Sequence, residues 1–575
     1  MQQLSAQDAQ FLYMETNKSL SHVTSVAIFD PSSAASGKVR FKQIIEHVES
    51  RLHTSPIYKR RIYHVPLELD YPYWIEDEHF DIEYHIRHGR LPHPADWRQL
   101  CIHLARFHSR PLDMQRPPWE MYVIEGLSNI PGIPEGAYAI ATKIHHAAAD
   151  GMAIVNFFGN LMDIDTQGTP VMPIKKRVNS SRFEKPTLFQ ISARSMISNL
   201  RSPVKVVNTM MRYAPNIVQA AKQQIVERQK EAKQTVPNTR FNLETSPHRV
   251  FDSTSFSLAD FKPIRAAVEG TTINDIVLST CAGALRKYLG HHKELPSESL
   301  RAFVPMNVRA EKGSLKETDQ PGNNISTMAP KLFTNIDDPL ERLAAMLAET
   351  KEQKAARKGI SARIMTDVAK HIPASTQLLA ARLVMRSEMA GRMTNVCISN
   401  VPGPQVPVYM NGATLVKQMG LGPLADRMGL FIAVSSLNGS IAFSVTSCRR
   451  TMPDVDFFIQ CINESFNELS DAVKSGAKVV TKKTAPSTKK SKPSLTKKAT
   501  KAVKSALESK AKNAKKATKA KPNKKKPSKK VSSKATTSPK PKTQANLKSK
   551  RRKKLSKKKV SAKKVSAKTI SSAED

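Results

Sequence analysis

The composition of the chain breaks near residue 479, and that break sets how much of it can fold. From Thr481 to Asp575 there are 33 Lys and 2 Arg against Glu508, Glu574 and Asp575. These residues carry +32 of the formal +42, so the first 480 are only mildly basic at +10. No aromatic residue follows Val479. So charged and apolar-poor a segment cannot bury enough surface to offset the entropy of ordering it, and 479–575 is expected to be a disordered tail. A flexible polycation seeks polyanions, and DNA or anionic lipid both qualify as its partner.

The remaining chain is too long for one ordinary core. It divides into a segment 1–174, a crossover 175–245 and a segment 246–478. The two outer segments alternate strand and helix patterns, so the fold class is α/β, mixed α+β. In the first, Ser5 to Leu12 opens as a capped helix and His22 to Phe29 alternates as a strand. Phe41, Ile44, Ile45, Val48 and Leu52 share one helix face, as do Trp97, Leu100, Leu104 and Phe107. A triple-proline loop, Arg110 to Glu120, then feeds a strand at Met121 to Ile124. Residues 175–245 mix prolines, cations and short helical runs such as 189–197 and 217–221, as an interdomain linker or a surface-lying basic helix does. In 246–478, Leu437-Asn438-Gly439-Ser440 between two apolar runs predicts a hairpin, and a helix over 455–473 closes the segment.

Five cysteines, Cys101, Cys281, Cys397, Cys448 and Cys461, are odd in number and lack metal-ligand spacing, which points to reduced, buried thiols of a cytoplasmic protein. There is neither a secretory leader pattern nor a run of eighteen apolar residues, so contact with a membrane is expected to be peripheral.

Chemistry concentrates in Lys143-Ile144-His145-His146-Ala147-Ala148-Ala149-Asp150-Gly151. An apolar strand, Ala137 to Ala141, leads into it, and apolar residues at helical spacing follow from Met152. Successive strand residues point to opposite faces, so only one of the two histidines can look into a cavity at the strand end. The alanines leave room beside the ring, and Gly151 can turn the backbone into the helix. A lone histidine at a strand end is usually structural, but the whole string is far rarer than any of its residues.

That string resembles the His-His-x-x-x-Asp-Gly motif of the CoA-dependent acyltransferase superfamily, the fold of chloramphenicol acetyltransferase and of peptide-synthetase condensation domains. The resemblance implies that the second histidine, His146, is the general base and that Asp150 fixes the loop. Further blocks narrow the match to the bacterial wax ester synthase/diacylglycerol acyltransferase family. Pro111-Leu112-Asp113 to Trp119 resembles its Pro-Leu-Trp block, with Pro118 where leucine is usual. Asn274-Asp275 matches its Asn-Asp block, and Ser399-Asn400-Val401-Pro402-Gly403-Pro404 matches a third; Asn307-Val308-Arg309 and Gly322-Asn323-Asn324 recur as well.

Read from the residues alone, Asn274 in a first helical turn and Ser399 and Asn400 at a strand end serve their own backbone more readily than a ligand. The resemblance makes Asn274, Asp275, Ser399 and Asn400 candidate substrate-binding residues, with Asn274 or Ser399 as donors to the oxyanion. It further implies two chloramphenicol-acetyltransferase-like domains side by side, with acyl-CoA and a diacylglycerol or fatty alcohol meeting at His146. The expected product is a triacylglycerol or wax ester, with acyl-CoA as co-substrate and neither metal nor other cofactor. The membrane or lipid-body surface is the expected place of work. A catalytically dead lipid-body or nucleoid-associated protein reusing the fold is the alternative from another class, and a condensation-type acyltransferase is a second.

Overall fold

A computed structural model describes residues 2–68, 70–149, 151–171, 187, 190, 236–307, 325–356, 374–386 and 393–476. Asp150, most of the 175–245 crossover, Val308, Arg309, Gly322 to Asn324 and the 479–575 tail lie outside the described residues.

Two six-stranded mixed sheets organise the fold. The first runs Tyr409–Met410, Ala413–Leu421, His22–Asp30, Tyr138–His145, Trp119–Glu125, Ile86–Arg90. The second runs Ile325–Met328, Ala302–Asn307, Val396–Val401, Leu430–Leu437, Ser440–Cys448, Arg249–Ser257. A small third sheet joins Gln2–Gln3, Tyr73–Glu76 and Arg60–Tyr63.

Helices cover both faces of the first sheet. Helix Phe41–Arg51 buries Ile44 and Val48 on the side of Phe29, Ile140 and Phe157. Helix Trp97–His108 starts where the Asp96 carboxylate accepts the Gln99 N–H at 2.8 Å, and it buries Leu100, Leu104 and Phe107 against Val26 and Ile28 on the other side. Neighbouring residues of His22–Asp30 therefore serve opposite cores, as a period of two requires. The second sheet carries helix Ile273–His291, which is buried nearly all round between helices Pro339–Ala356 and Val455–Lys474. Phe458, Ile462, Phe466 and Leu469 give the last of these one continuous apolar stripe.

One strand does not follow the division at 245/246. Ala413–Leu421 lies in the C-terminal half of the sequence yet pairs antiparallel with His22–Asp30, from Thr414 against Asp30 to Leu421 against Thr24. Side chains reinforce the crossing: Trp97 Nε1 donates to Asp252 Oδ1 at 2.7 Å, and the Arg249 guanidinium donates to the Lys18 carbonyl. The strand after the proline loop also begins earlier than Met121. His145 N–H reaches the Pro118 carbonyl at 3.0 Å and Trp119 pairs with Ile144, so Trp119 is part of the sheet and fully buried. All five cysteines are free and buried.

Candidate active site

Strand Tyr138–His145 is buried along its whole length, and its last residues split by face. Ile144 joins Trp119 in one core, while Lys143 and His145 point the other way, beside Thr24 and His22 of the neighbouring strand. Lys143 is fully buried. Its ammonium donates to the carbonyls of Phe107 and Arg110, at 3.2 and 2.9 Å, and stands 3.5 Å from Glu120 Oε2. A cation at the C-terminal end of helix Trp97–His108 meets the negative end of its dipole. Burial pushes this ammonium below its ordinary pKa, and Glu120 opposes that shift.

Two more histidines complete a buried polar layer. His108 Nε2 donates to the Gly422 carbonyl at 3.1 Å, so its Nδ1 accepts from the Thr24 hydroxyl at 2.8 Å. His22 Nε2 donates to the His108 carbonyl at 2.7 Å. Burial drives His108 down to about 3 and His22 well below its usual value, so both rings are neutral.

The paired histidines differ in what surrounds them. His145 Nδ1 accepts the Ala147 N–H at 3.0 Å, which leaves the ring proton on Nε2, directed at Glu15 Oε2 at 3.3 Å. Burial would raise the Glu15 carboxyl, but His145 and the Ser21 N–H at 3.0 Å outweigh it and hold it below its ordinary range. His145 is fully buried, and its two nitrogens are spent on the turn and on Glu15.

His146 donates its backbone N–H to the Ser21 carbonyl at 2.9 Å and stacks its ring on Phe11, with centroids 4.9 Å apart. As a residue His146 is half-buried, where His145 is fully buried. Burial, then the neighbouring His145, pushes this imidazole down to about 4 against a hydrogen bond with the Ala149 backbone. At neutral pH it is a free base. The turn is braced from behind by Arg60, whose Nη2 donates to the Ala148 carbonyl at 3.3 Å while its guanidinium lies 4.2 Å over Trp74. Gly151 opens helix Gly151–Gly159.

The substrate-binding candidates separate. Asn274, in the first turn of Ile273–His291, accepts from Asn400 Nδ2 at 3.4 Å, so these two meet. Ser399 precedes Asn400 near the end of strand Val396–Val401 and is half-buried. Asp275 turns inward. Its Oδ2 takes the Thr272 N–H and hydroxyl, at 2.9 and 2.6 Å, and its Oδ1 takes the Thr350 hydroxyl at 2.8 Å, so both oxygens are occupied in capping and packing.

Glu15, Ser21 and Arg60 escaped the sequence reading. Each acts across tens of residues, and only Glu15, closing a helix that carries Phe11, had a local signal at all. Glu15 also walls a cleft between the end of helix Ala6–Met14 and helix Ala374–Arg386. Among the described residues no group of three or more His, Cys, Asp or Glu side chains converges as a metal site would.

Two mixed sheets with helices on their faces, and a paired histidine where a central strand ends, define the architecture of a CoA-dependent acyltransferase. The profile of the wax ester synthase/diacylglycerol acyltransferase catalytic domain matches residues 4–277, and that of the family's C-terminal domain matches 321–470. The chain belongs to the wax ester synthase/diacylglycerol acyltransferase family, and it is an acyl-CoA-dependent acyltransferase. A protein of Mycobacterium tuberculosis (strain CDC 1551 / Oshkosh), provisionally named a diacylglycerol O-acyltransferase, is 30% identical over 472 residues, spanning 82% of this chain and 90% of the relative. A second from the same strain, with the same provisional name, is 30% identical over 477 residues, 81% of this chain and 99% of its own. The solved wax ester synthase/diacylglycerol acyltransferase from Marinobacter aquaeolei VT8 superposes with a TM-score of 0.58 at 25% identity, covering 82% of this chain and all of that one.

Proposed function

We propose that the chain transfers a fatty acyl group from CoA directly to the hydroxyl of diacylglycerol or a long-chain alcohol, with His146 as general base. The observation that carries this reading is the contrast within the histidine pair. His145 is locked to Glu15 and Ala147, while His146, the less buried residue of the two, keeps a neutral ring on a braced turn. An alcohol is a poor nucleophile at neutral pH, and a thioester carries a good leaving group. As the hydroxyl oxygen bonds to the acyl carbon, the His146 imidazole takes its proton. As the C–S bond breaks, the imidazolium returns that proton to the departing CoA sulfur. A positioned base of this kind contributes on the order of 10²–10⁴ in rate, and orientation supplies much of the rest. The oxyanion needs donors, for which Asn274 is suited because Asn400 already engages its carbonyl oxygen; Ser399 is the second candidate. Asp150 has the role of fixing the loop. The chemistry requires acyl-CoA as co-substrate and neither metal nor other cofactor.

The test is CoA release by purified protein from palmitoyl-CoA with diacylglycerol, hexadecanol or no acceptor. Release should depend on an alcohol and fall at least about 100-fold in His146→Ala, with a smaller loss in His145→Ala. A folded His146→Ala protein of unchanged activity would overturn the mechanism.

The work is assigned to a membrane or lipid-body surface on the cytoplasmic side. Among the described residues no helix is long and apolar enough to cross a bilayer, and both substrates are amphiphiles that collect at such surfaces. The tail, with its 33 Lys and 2 Arg, is assigned to anionic lipid or DNA. Deleting 481–575 should abolish salt-sensitive binding to anionic vesicles or to duplex DNA while turnover of micellar substrate persists. Undiminished binding to both would refute the tail's role.

A further inference from the structure

Ser21 has all three of its polar groups engaged at the catalytic turn. Its N–H donates to Glu15 Oε1 at 3.0 Å, its hydroxyl donates to the Phe11 carbonyl at 2.9 Å, and its carbonyl accepts the His146 N–H at 2.9 Å. The other Glu15 oxygen, Oε2, takes the His145 Nε2 proton at 3.3 Å, and His145 Nδ1 accepts the Ala147 N–H at 3.0 Å. Two chains of hydrogen bonds therefore start from one carboxylate. One reaches the His146 backbone through Ser21, and the other reaches the residues on either side of it, His145 and Ala147. A ring contact closes the frame, because Phe11 stacks on the His146 imidazole with 17° between the planes.

The loop that carries Ser21 is itself held. Thr16 and Ser19 exchange backbone hydrogen bonds at 2.9 and 3.2 Å, and the Thr16 hydroxyl accepts the Ser19 N–H at 3.0 Å. The Lys18 carbonyl accepts from the Arg249 guanidinium, so strand Arg249–Ser257 of the second sheet anchors the same loop.

Stability alone does not account for a carboxylate here. Glu15 caps the C-terminal end of helix Ala6–Met14, where the helix dipole opposes a negative charge. It is also half-buried, which disfavours its charged form further. His145 does not call for a counter-charge, since its Nδ1 is an acceptor and the ring carries a single proton. What a carboxylate supplies that a single acceptor does not is two oxygens at a fixed spacing. One serves the end of strand Tyr138–His145 and the other the residue that leads into His22–Asp30, so the two strand ends that bear the turn are held together.

We infer that Glu15 is a positioning residue for acyl transfer: with Ser21 and Phe11 it fixes the backbone and ring plane of His146, so that the imidazole meets the attacking hydroxyl in reactive geometry. The inference rests on His146 as the general base. A misplacement of about 1 Å at such a group costs on the order of 100-fold in rate.

The experiment measures kcat and KM for CoA release by the full-length protein from palmitoyl-CoA, with 1,2-dioleoylglycerol and with hexadecanol. Rates are taken per folded molecule, counted from the amplitude of unfolding in urea, so that a loss of folded protein does not register as a loss of kcat. Glu15→Ala should lower kcat by roughly 10- to 100-fold while KM for palmitoyl-CoA stays within about twofold of wild type. Glu15→Gln keeps one of the two acceptors and should fall between Glu15→Ala and wild type. Phe11→Leu and Ser21→Ala, which remove the ring stack and the hydroxyl bond, should each lower kcat by roughly three- to tenfold. A kcat for folded Glu15→Ala within about twofold of wild type, or a rise in KM with kcat unchanged, would overturn the assignment. Glu15→Gln no better than Glu15→Ala would assign the effect to charge and overturn positioning. Should Glu15→Ala not fold, unchanged kcat in both Phe11→Leu and Ser21→Ala would overturn it equally. A folded His146→Ala protein of unchanged activity would remove the base reading itself.

Discussion

A histidine held near pKa 4 is a free base throughout the neutral range, and that has consequences in opposite directions for activity and stability. For activity, His146 should stay deprotonated until the medium becomes strongly acid. The kcat/KM profile for CoA release should therefore be flat from pH 8 to below 6 and decline only toward about 4; an acid limb centred near 6.5 would mean an ordinary, unshifted imidazole. For stability, the folded chain holds His146 at about 4, His108 at about 3 and His22 well below its usual value. Unfolded, all three titrate near 6.5. Below that pH the unfolded chain binds more protons, so stability is fully present above about 6.5 and drains away as pH falls toward 3–4. Tm should drop progressively over that window, and His108→Asn should flatten the slope; a Tm independent of pH would contradict the buried neutral layer. The histidine pair was legible in the sequence because the motif is local. Glu15 and Arg60 were not, because they reach the turn through space from positions 130 and 88 residues away.

Among the elements, the buried helix Ile273–His291 shows how closely the second half is packed. An added Cβ on Gly283 would stand 2.1 Å from Ser465 Oγ and 2.7 Å from Arg342 Nη2. Alanine is the better helix former by about 1 kcal/mol, but overpacking costs about 1–3 kcal/mol, so Gly283→Ala should be net destabilising in urea titrations. A stabilised variant would show that helix Val455–Lys474 can yield at this point. The hairpin Leu430–Leu437 to Ser440–Cys448 was legible because Asn438 and Gly439 both adopt positive φ, as its turn demands. The role of Asp275 was not legible, since an Asn-Asp pair in a first helical turn serves a cap as well as a ligand contact, and only the Thr350 bond decides. Strand Ala413–Leu421 alternates plainly, with Ala413, Leu415, Met419 and Leu421 buried. Its sequence contains nothing that says which sheet it enters, because both offer an apolar face.

At the scale of the molecule, the alternating patterns sufficed for an α/β chain. What they could not supply was the exchange of a strand between halves, a property of pairing rather than of pattern. That exchange also sets an order of events in synthesis. Ser33, three residues past strand His22–Asp30, meets Gly412 only 379 positions later. At about 5–20 residues per second, the ribosome needs roughly 20–80 s to cover that span. Throughout it, His22–Asp30 can pair on one side only, with Tyr138–His145, and its other side is an open edge able to template association with other nascent chains. The N-terminal half, which carries both histidines, is thus made first and finished late. The cell must keep an incomplete catalytic sheet from sticking to its neighbours until the second half delivers the missing strand.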